Sequence, residues 1–210
     1  MMDSRSIIER YKENKDNELH PVSYWIRNRK STYAYDFIDE KIPKSLIEEI
    51  VTNGLWAPTH KMTQPWRFEV LQGKHKEDFG AYMLDYYIKH LTKEKFPESR
   101  YQETLEYPKN ATLLAVIFQR NERARIPEWE EIAAISCAVQ NIWITCSVMG
   151  LGGYWDTAPA TIKYCKENIE LKENEESLGI FYLGVPKLID ANQNRKRKPI
   201  SKKLSWNTKL

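Results

Sequence analysis

Residues 57–68 read APTHKMTQPWRF, and the residue types along this stretch set out the end of a helix, a shaped loop and the start of a strand. Upstream, Pro43 stands where a first helical turn tolerates proline, and Leu46, Ile47, Ile50, Val51 and Leu55 then recur at helical spacing, with Gly54 near the end. Downstream, Phe68, Val70 and Leu71 predict a strand that Gly73 closes. Pro58 and Pro65 restrict the backbone on both sides of His60, Lys61, Thr63 and Gln64, so these side chains are presented from a loop with few conformations to lose on binding. Such a loop suits a small-molecule site. The same residue types also fit an ordinary connector with Trp66 in the core, so the rest of the chain must decide between the two.

Working outward, a weak helical pattern covers 4–15 and a short helix is expected from Tyr24 to Arg29. A helix from about His75 to Leu91 carries Phe79, Tyr82, Met83, Tyr86 and Tyr87 on one broad face, and a connecting region follows to about Pro108. Ala111–Phe118 and Leu178–Val185 are nearly continuous apolar runs of strand length, which predicts central strands covered on both faces. Between them lie two helices, from about Pro127 to Met149 and from about Pro159 to Glu167, separated by a glycine-rich corner over Gly150–Asp156. The resulting expectation is mixed α and β elements around one sheet, with no internal repeat. Residues 1–23 read as a charged extension and 24–210 as a single domain that includes the basic tail.

With 210 residues, the chain is long enough for one good core. Its 32 Lys and Arg against 29 Asp and Glu leave a formal charge of +3, a near balance that does not point to nucleic acid. The basic excess is local to the tail, at Arg195, Lys196, Arg197, Lys198, Lys202 and Lys203. Cys137, Cys146 and Cys165 form no Cys-x-x-Cys pair, and the four histidines are scattered, so neither a disulfide framework nor a metal site is expected. No signal-peptide pattern opens the sequence, and a reducing, cytoplasmic setting is the expectation. Ile132–Trp155 is uncharged and long enough to span a bilayer, yet Ser136, Gln140, Asn141, Thr145 and Ser147 interrupt it and glycines end it. A helix buried in protein is expected instead. In a domain this small its cover requires a second layer, and a partner subunit is the natural source.

Two basic clusters, Arg29-Lys30-Ser31 and Arg195-Lys196-Arg197, could together clamp an anion, because guanidinium groups grip phosphate oxygens with paired donors while lysine adds a point charge. Neither has the glycine pattern of a Walker loop or a dinucleotide fold. The run Gly150-Leu151-Gly152-Gly153-Tyr154-Trp155-Asp156-Thr157 offers close backbone approach for a flat ligand, with Trp155 as an apolar wall; a helix stop with Trp155 in the core is the other reading. No nucleophile stands out, and Glu128, Glu130 and Glu131 read as a charged first helical turn.

Taken in order, Arg29-Lys30-Ser31, Ala57-Pro58 with Gln64-Pro65-Trp66-Arg67-Phe68, Gly150 to Trp155, and Tyr182-Leu183-Gly184-Val185-Pro186 resemble the FMN-dependent nitroreductase family over about Tyr24 to Trp206. Ala-Pro-x-His-Lys before Gln-Pro-Trp, and Pro-x-Trp-Glu at Pro127–Glu130, are similar to its short bacterial subgroup of NAD(P)H nitroreductases. The resemblance implies an α+β fold, a central mixed sheet flanked by helices, that works as a homodimer with the long helix at the interface and FMN between subunits. It implies that Arg29, Lys30 and Ser31, joined by Arg195 and Arg197, hold the phosphate and ribityl chain. His60 and Gln64 would reach the flavin from the partner, and Trp155, Asp156 and Thr157 would line its ring through the backbone. Tyr33 belongs to the same cofactor-binding set; there, and at Met62, the chain departs from the family pattern of Arg or Lys and of Asn. Trp66 is expected to pack beneath the site. The implied activity is hydride transfer from NADH or NADPH, through FMN, to a nitroaromatic, quinone or related small-molecule acceptor by ping-pong kinetics, with no side-chain acid or base strictly required. A non-catalytic flavin carrier or sensor, and a basic-tailed nucleic-acid binder, are the competing readings.

Overall fold

The two uninterrupted apolar runs form the two inner strands of the sheet. A computed structural model of the chain describes residues 20–187 and 195–207; the weak helical pattern expected over 4–15 and the first 19 residues of the extension expected over 1–23 lie outside the described residues, and the helix expected from Tyr24 begins at Pro21. In chain order the helices are α1 (Pro21–Asn28), α2 (Lys44–Leu55), α3 (Lys74–His90), α4 (Tyr101–Glu106), α5 (Glu128–Val148) and α6 (Pro159–Asn168). The strands are β1 (Trp66–Leu71), β2 (Thr112–Gln119), β3 (Gly152–Asp156) and β4 (Glu175–Gly184), arranged β1-β2-β4-β3.

Strand alternation splits the core into two layers. Leu113, Ala115 and Ile117 of β2, with Ile180 and Tyr182 of β4, face a layer built on Phe79 and Met83 of α3 and Tyr164 of α6. Leu114, Val116 and Phe118, with Phe181 and Leu183, face Ile50 of α2 and Ala138, Val139 and Ile142 of α5. Trp66 is buried in this second layer, as expected. Gly54 allows the close crossing of α2 and α5, since a Cβ there would lie 2.8 Å from Ile142 Cγ1.

All three pairings between the described strands are antiparallel, where a mixed sheet was expected. Strands β2 and β3 do run the same way and are joined by α5, but β4 lies between them and opposes both. The apolar run of β4 gains cover on both faces and both edges at this central position, while the short, glycine-led β3 is left at the edge. The expected glycine corner is accordingly shorter than 150–156: Gly150, at φ 74°, ends α5, and strand begins at Gly152.

Among the described residues, only one face of α5 is covered. Ala134, Ile135, Ala138, Ile142 and Cys146 pack inward, whereas Ala133, Ser136, Cys137 and Gln140 are exposed and Trp129 is 69 % exposed. By length and composition α5 could cross a membrane, but its inner face is bound to the sheet.

Candidate functional site

Two groups of the residues singled out in the sequence sit at opposite ends of α5. At its C-terminal half, Arg29 follows the last turn of α1 and lays its guanidinium over Trp143, 4.1 Å from the ring centroid. The Trp143 indole N–H donates to the Lys30 carbonyl at 3.1 Å, so one tryptophan holds both the side chain of residue 29 and the backbone of residue 30. From the tail, Arg195 donates to the carbonyls of Arg29 and, at 2.6 Å, of Arg27. Burial pushes the Arg29 pKa below its ordinary value, and the nearby charges of Arg195 and Arg197 push it the same way. Its Nη1 is buried without a hydrogen-bond partner, and no carboxylate of the described residues pairs with any of the three arginines. A desolvated cation crowded by two others calls for an anion with several acceptor oxygens.

This clamp is anchored to the edge strand. Thr32 N–H donates to the Gly153 carbonyl at 3.0 Å, and a Cβ on Gly152 would fall 2.8 Å from the Thr32 Cβ, so the glycine lets segment 29–32 lie directly on β3. Ser31 is exposed beside it, and Tyr33, 54 % exposed, tilts against Tyr154 at 4.9 Å. Main-chain groups alternate sides along an antiparallel strand, so with Gly153 turned outward the N–H and C=O of Trp155 also face the open edge. The Trp155 side chain is already committed, its indole N–H donating to the Leu178 carbonyl at 2.9 Å. Ahead of α6 the Asp156 carboxylate accepts from Ala158 N–H at 2.9 Å and from the Thr161 hydroxyl at 2.7 Å, which fixes the exposed Thr157 between Asp156 and Ala158.

At the other end of α5, loop 57–65 is held in an unusual backbone. Lys61, Met62 and Gln64 have φ of 50°, 55° and 45°, left-handed values that cost non-glycine residues of order 1 kcal/mol each and persist only where the surroundings over-determine them. The braces are visible. Thr59 and Thr63 hydroxyls meet at 3.1 Å, Gln64 N–H donates to Thr59 Oγ1 at 3.1 Å, and Lys61 Nζ donates to the Ala124 carbonyl at 3.1 Å. Below the loop, Arg67 forks onto buried Glu175 through Nε at 3.0 Å and Nη2 at 2.8 Å and bonds Glu69 at 2.7 Å, which holds the Glu175 carboxyl below the usual carboxylate range. The loop presents His60, whose Nδ1 lies 2.6 Å from Glu130 Oε2. Gln64 is exposed.

Within one chain the structure joins Arg29, Lys30, Ser31 and Arg195 to the edge strand of Trp155, but it does not bring His60 and Gln64 to them. Glu130 and Trp143 are thirteen residues apart on one helix, about 20 Å along its axis. Three contributors were missed in the sequence: Trp143, Thr32 and Glu130. Trp143 could have been flagged as a large aromatic inside an uncharged run, whereas Glu130 looked like any carboxylate of a first turn.

The model of the nitroreductase family matches residues 26–185. YfhC of Bacillus subtilis strain 168, which carries an NAD(P)H nitroreductase name, is 30 % identical over 183 residues, covering 83 % of this chain and 88 % of its own length. YdjA of Escherichia coli K12, named likewise, is 27 % identical over 143 residues, covering 68 % of this chain and 76 % of its own. In fold, the chain is similar to a crystal structure of a Desulfovibrio desulfuricans protein described as a nitroreductase in complex with FMN, at a TM-score of 0.65 and 20 % identity, covering 92 % of this chain and all of that one. With the family match spanning strands, clamp segment, loop and long helix alike, the chain belongs to the nitroreductase family.

Proposed function

We propose that this protein is an FMN-dependent oxidoreductase that moves a hydride from NADH or NADPH to a nitroaromatic, quinone or related acceptor by a ping-pong cycle, working as a homodimer with FMN between the subunits. The observation that carries this reading is the buried, unpartnered Nη1 of Arg29, crowded by Arg195 and Arg197. A phosphate monoester supplies the missing acceptors and offsets the crowded positive charge, so the residues present fit FMN.

In this reading Arg29 and Arg197 grip the phosphate. Arg195 ties the clamp backbone in place while adding charge. Lys30 and Ser31 reach the phosphate and ribityl chain, and Tyr33 borders them. The open main-chain edge at Trp155, with Asp156 and Thr157 held by the Asp156 hydrogen bonds to Ala158 and Thr161, meets the ring through backbone hydrogen bonds. The chemistry supplied by bound FMN is acceptance of a hydride from a nicotinamide and its donation to a second substrate in the same site. The protein positions the two substrates in turn and excludes water.

The roughly 20 Å between the two ends of α5 supports the dimer. His60 and Gln64 come to the flavin from the partner subunit, and the uncharged face at Ala133, Ser136, Cys137 and Gln140 is what the partner covers. Residues 24–210 then act as one FMN-binding unit with the tail as part of the clamp, and free cysteines suit a reducing, cytoplasmic setting.

The test is direct. Purified protein should be yellow, release FMN on denaturation, bleach anaerobically with NADPH or NADH and regain colour with a quinone or nitroaromatic, giving parallel double-reciprocal lines. Colourless protein that cannot be reconstituted with FMN overturns the reading, and yellow protein that no nicotinamide bleaches makes it a carrier or sensor.

A further inference from the structure

The strained loop delivers one imidazole to an apolar cleft. A space of about 450 Å³ between the loop and the first turns of α5 is walled by Pro58, Trp129, Ala133, Ala134 and Cys137, with His60 and Glu130 bringing the charge. It has the size of a small-ligand site; in the dimer proposed above its open side faces the partner subunit, so a ligand there is held between subunits with Trp129 as an aromatic face. Glu130 accepts at His60 Nδ1, 2.6 Å away, which leaves Nε2 as the nitrogen free to meet a ligand. Other charges nearby are engaged elsewhere. Lys61 is bonded to the Ala124 carbonyl, while Glu128 and Glu131 face Arg120 at 3.2 and 3.7 Å.

We propose that His60 is the proton donor to the electron acceptor, that Glu130 is the residue that positions it, and that the cleft seats the acceptor as an aromatic bearing a nitro or quinone oxygen. This rests on the hydride-transfer reading above and adds the acid which that reading does not require. The proton balance asks for one. Converting a nitro group to nitroso takes one hydride and one proton: the hydride brings two electrons and a hydrogen, His60 Nε2 gives a proton to the departing oxygen, the N–O bond breaks, and water leaves with both hydrogens. A quinone takes the same hydride and proton to become a hydroquinone. The half-exposed imidazole then recovers its proton from solvent while Glu130 keeps it oriented.

The experiment uses FMN-loaded protein reduced anaerobically with NADPH and mixed in stopped flow with nitrobenzene or with ferricyanide, which takes electrons and no proton. With each rate taken as a ratio to the same form's ferricyanide rate, which carries any change in the flavin itself, His60→Asn should slow oxidation by nitrobenzene about 100-fold and abolish its solvent deuterium isotope effect, with a smaller loss in Glu130→Gln. A second readout needs no turnover. In oxidised protein without reductant, nitrobenzene should shift the His60 Cε1–H NMR signal, identified among four histidines by its loss in His60→Asn, and Trp129→Leu should weaken that binding. If His60→Asn does not retain FMN, Glu130→Gln carries the kinetic test. Wild-type nitrobenzene rates and isotope effect in both variants, or no shift at His60, overturn the proposal alone. Protein that binds no FMN, or that no nicotinamide reduces, overturns the underlying reading and the proposal with it.

Discussion

The two ends of α5 handle charge in opposite ways. At the loop end, polar groups find their partners inside the chain: His60 on Glu130, Lys61 on Ala124, Arg67 on Glu175 and Glu69, Arg120 on Glu128. At the clamp end, Arg29, Arg195 and Arg197 converge with no carboxylate among the described residues to answer them, and Arg29 is left with a buried donor unmet. The first arrangement stabilises an unfavourable backbone, and the second tolerates an unfavourable charge. The difference teaches where a ligand's own charge belongs: the loop end needs no anion, while the clamp end is completed by one.

The comparison can be broken most completely at what joins the two ends. A guanidinium placed on the open face of α5 by Ala133→Arg should prevent close apposition of two copies, so that sedimentation returns a 24.9-kDa species in place of twice that mass and FMN is lost with the dimer. A wild-type dimer with FMN retained would remove the interface from this face. Next in size is the support of the loop end, where Glu175→Gln leaves Arg67 facing a neutral group and should cost about 3 kcal/mol of stability by urea unfolding. Hydrogen bonding to Arg67 lowers the Glu175 pKa against the opposing effect of burial, so its stabilisation is complete above the ordinary carboxylate range and is lost as pH falls through the lowered value. The variant should therefore lose less stability on acidification than the wild type.

At the clamp end, Arg29→Ala and Arg197→Ala should each weaken FMN binding by roughly 1.5 to 3 kcal/mol in a fluorescence titration, and unchanged affinity in both would move the phosphate elsewhere. Smallest is the strain itself. Met62 is 72 % exposed at φ 55°, so Met62→Gly should raise the urea midpoint by an amount worth about 0.5 kcal/mol, and a loss of stability would mean that its side chain helps shape the loop.

Much of this was legible beforehand because it rests on local patterns. The runs at 111–118 and 178–185 read as central strands covered on both faces, and their alternate residues do face the two layers. The helix expected from Pro127 to Met149 is observed as Glu128–Val148, since proline and the acidic first turn mark one end and glycine the other. The edge strand at Gly152–Asp156 was not legible as a strand, because glycines give no periodic signal and its pairing depends on β4, some 25 residues later. Lys61, Met62 and Gln64 gave no sign of left-handed backbone either, as braces such as Ala124 come from distant segments.

The sequence by itself determined the elements, the basic clusters and the uncharged helix that asks for cover, because periodicity, turn residues and charge are properties of neighbours along the chain. Only the tertiary structure decided that Trp143 seats Arg29, that Thr32 binds β3, and that Glu130 receives His60 from 70 residues away. Such contacts follow from how helices and strands cross in space, and a rigid helix holds the clamp and the loop about 20 Å apart whatever their order in the sequence.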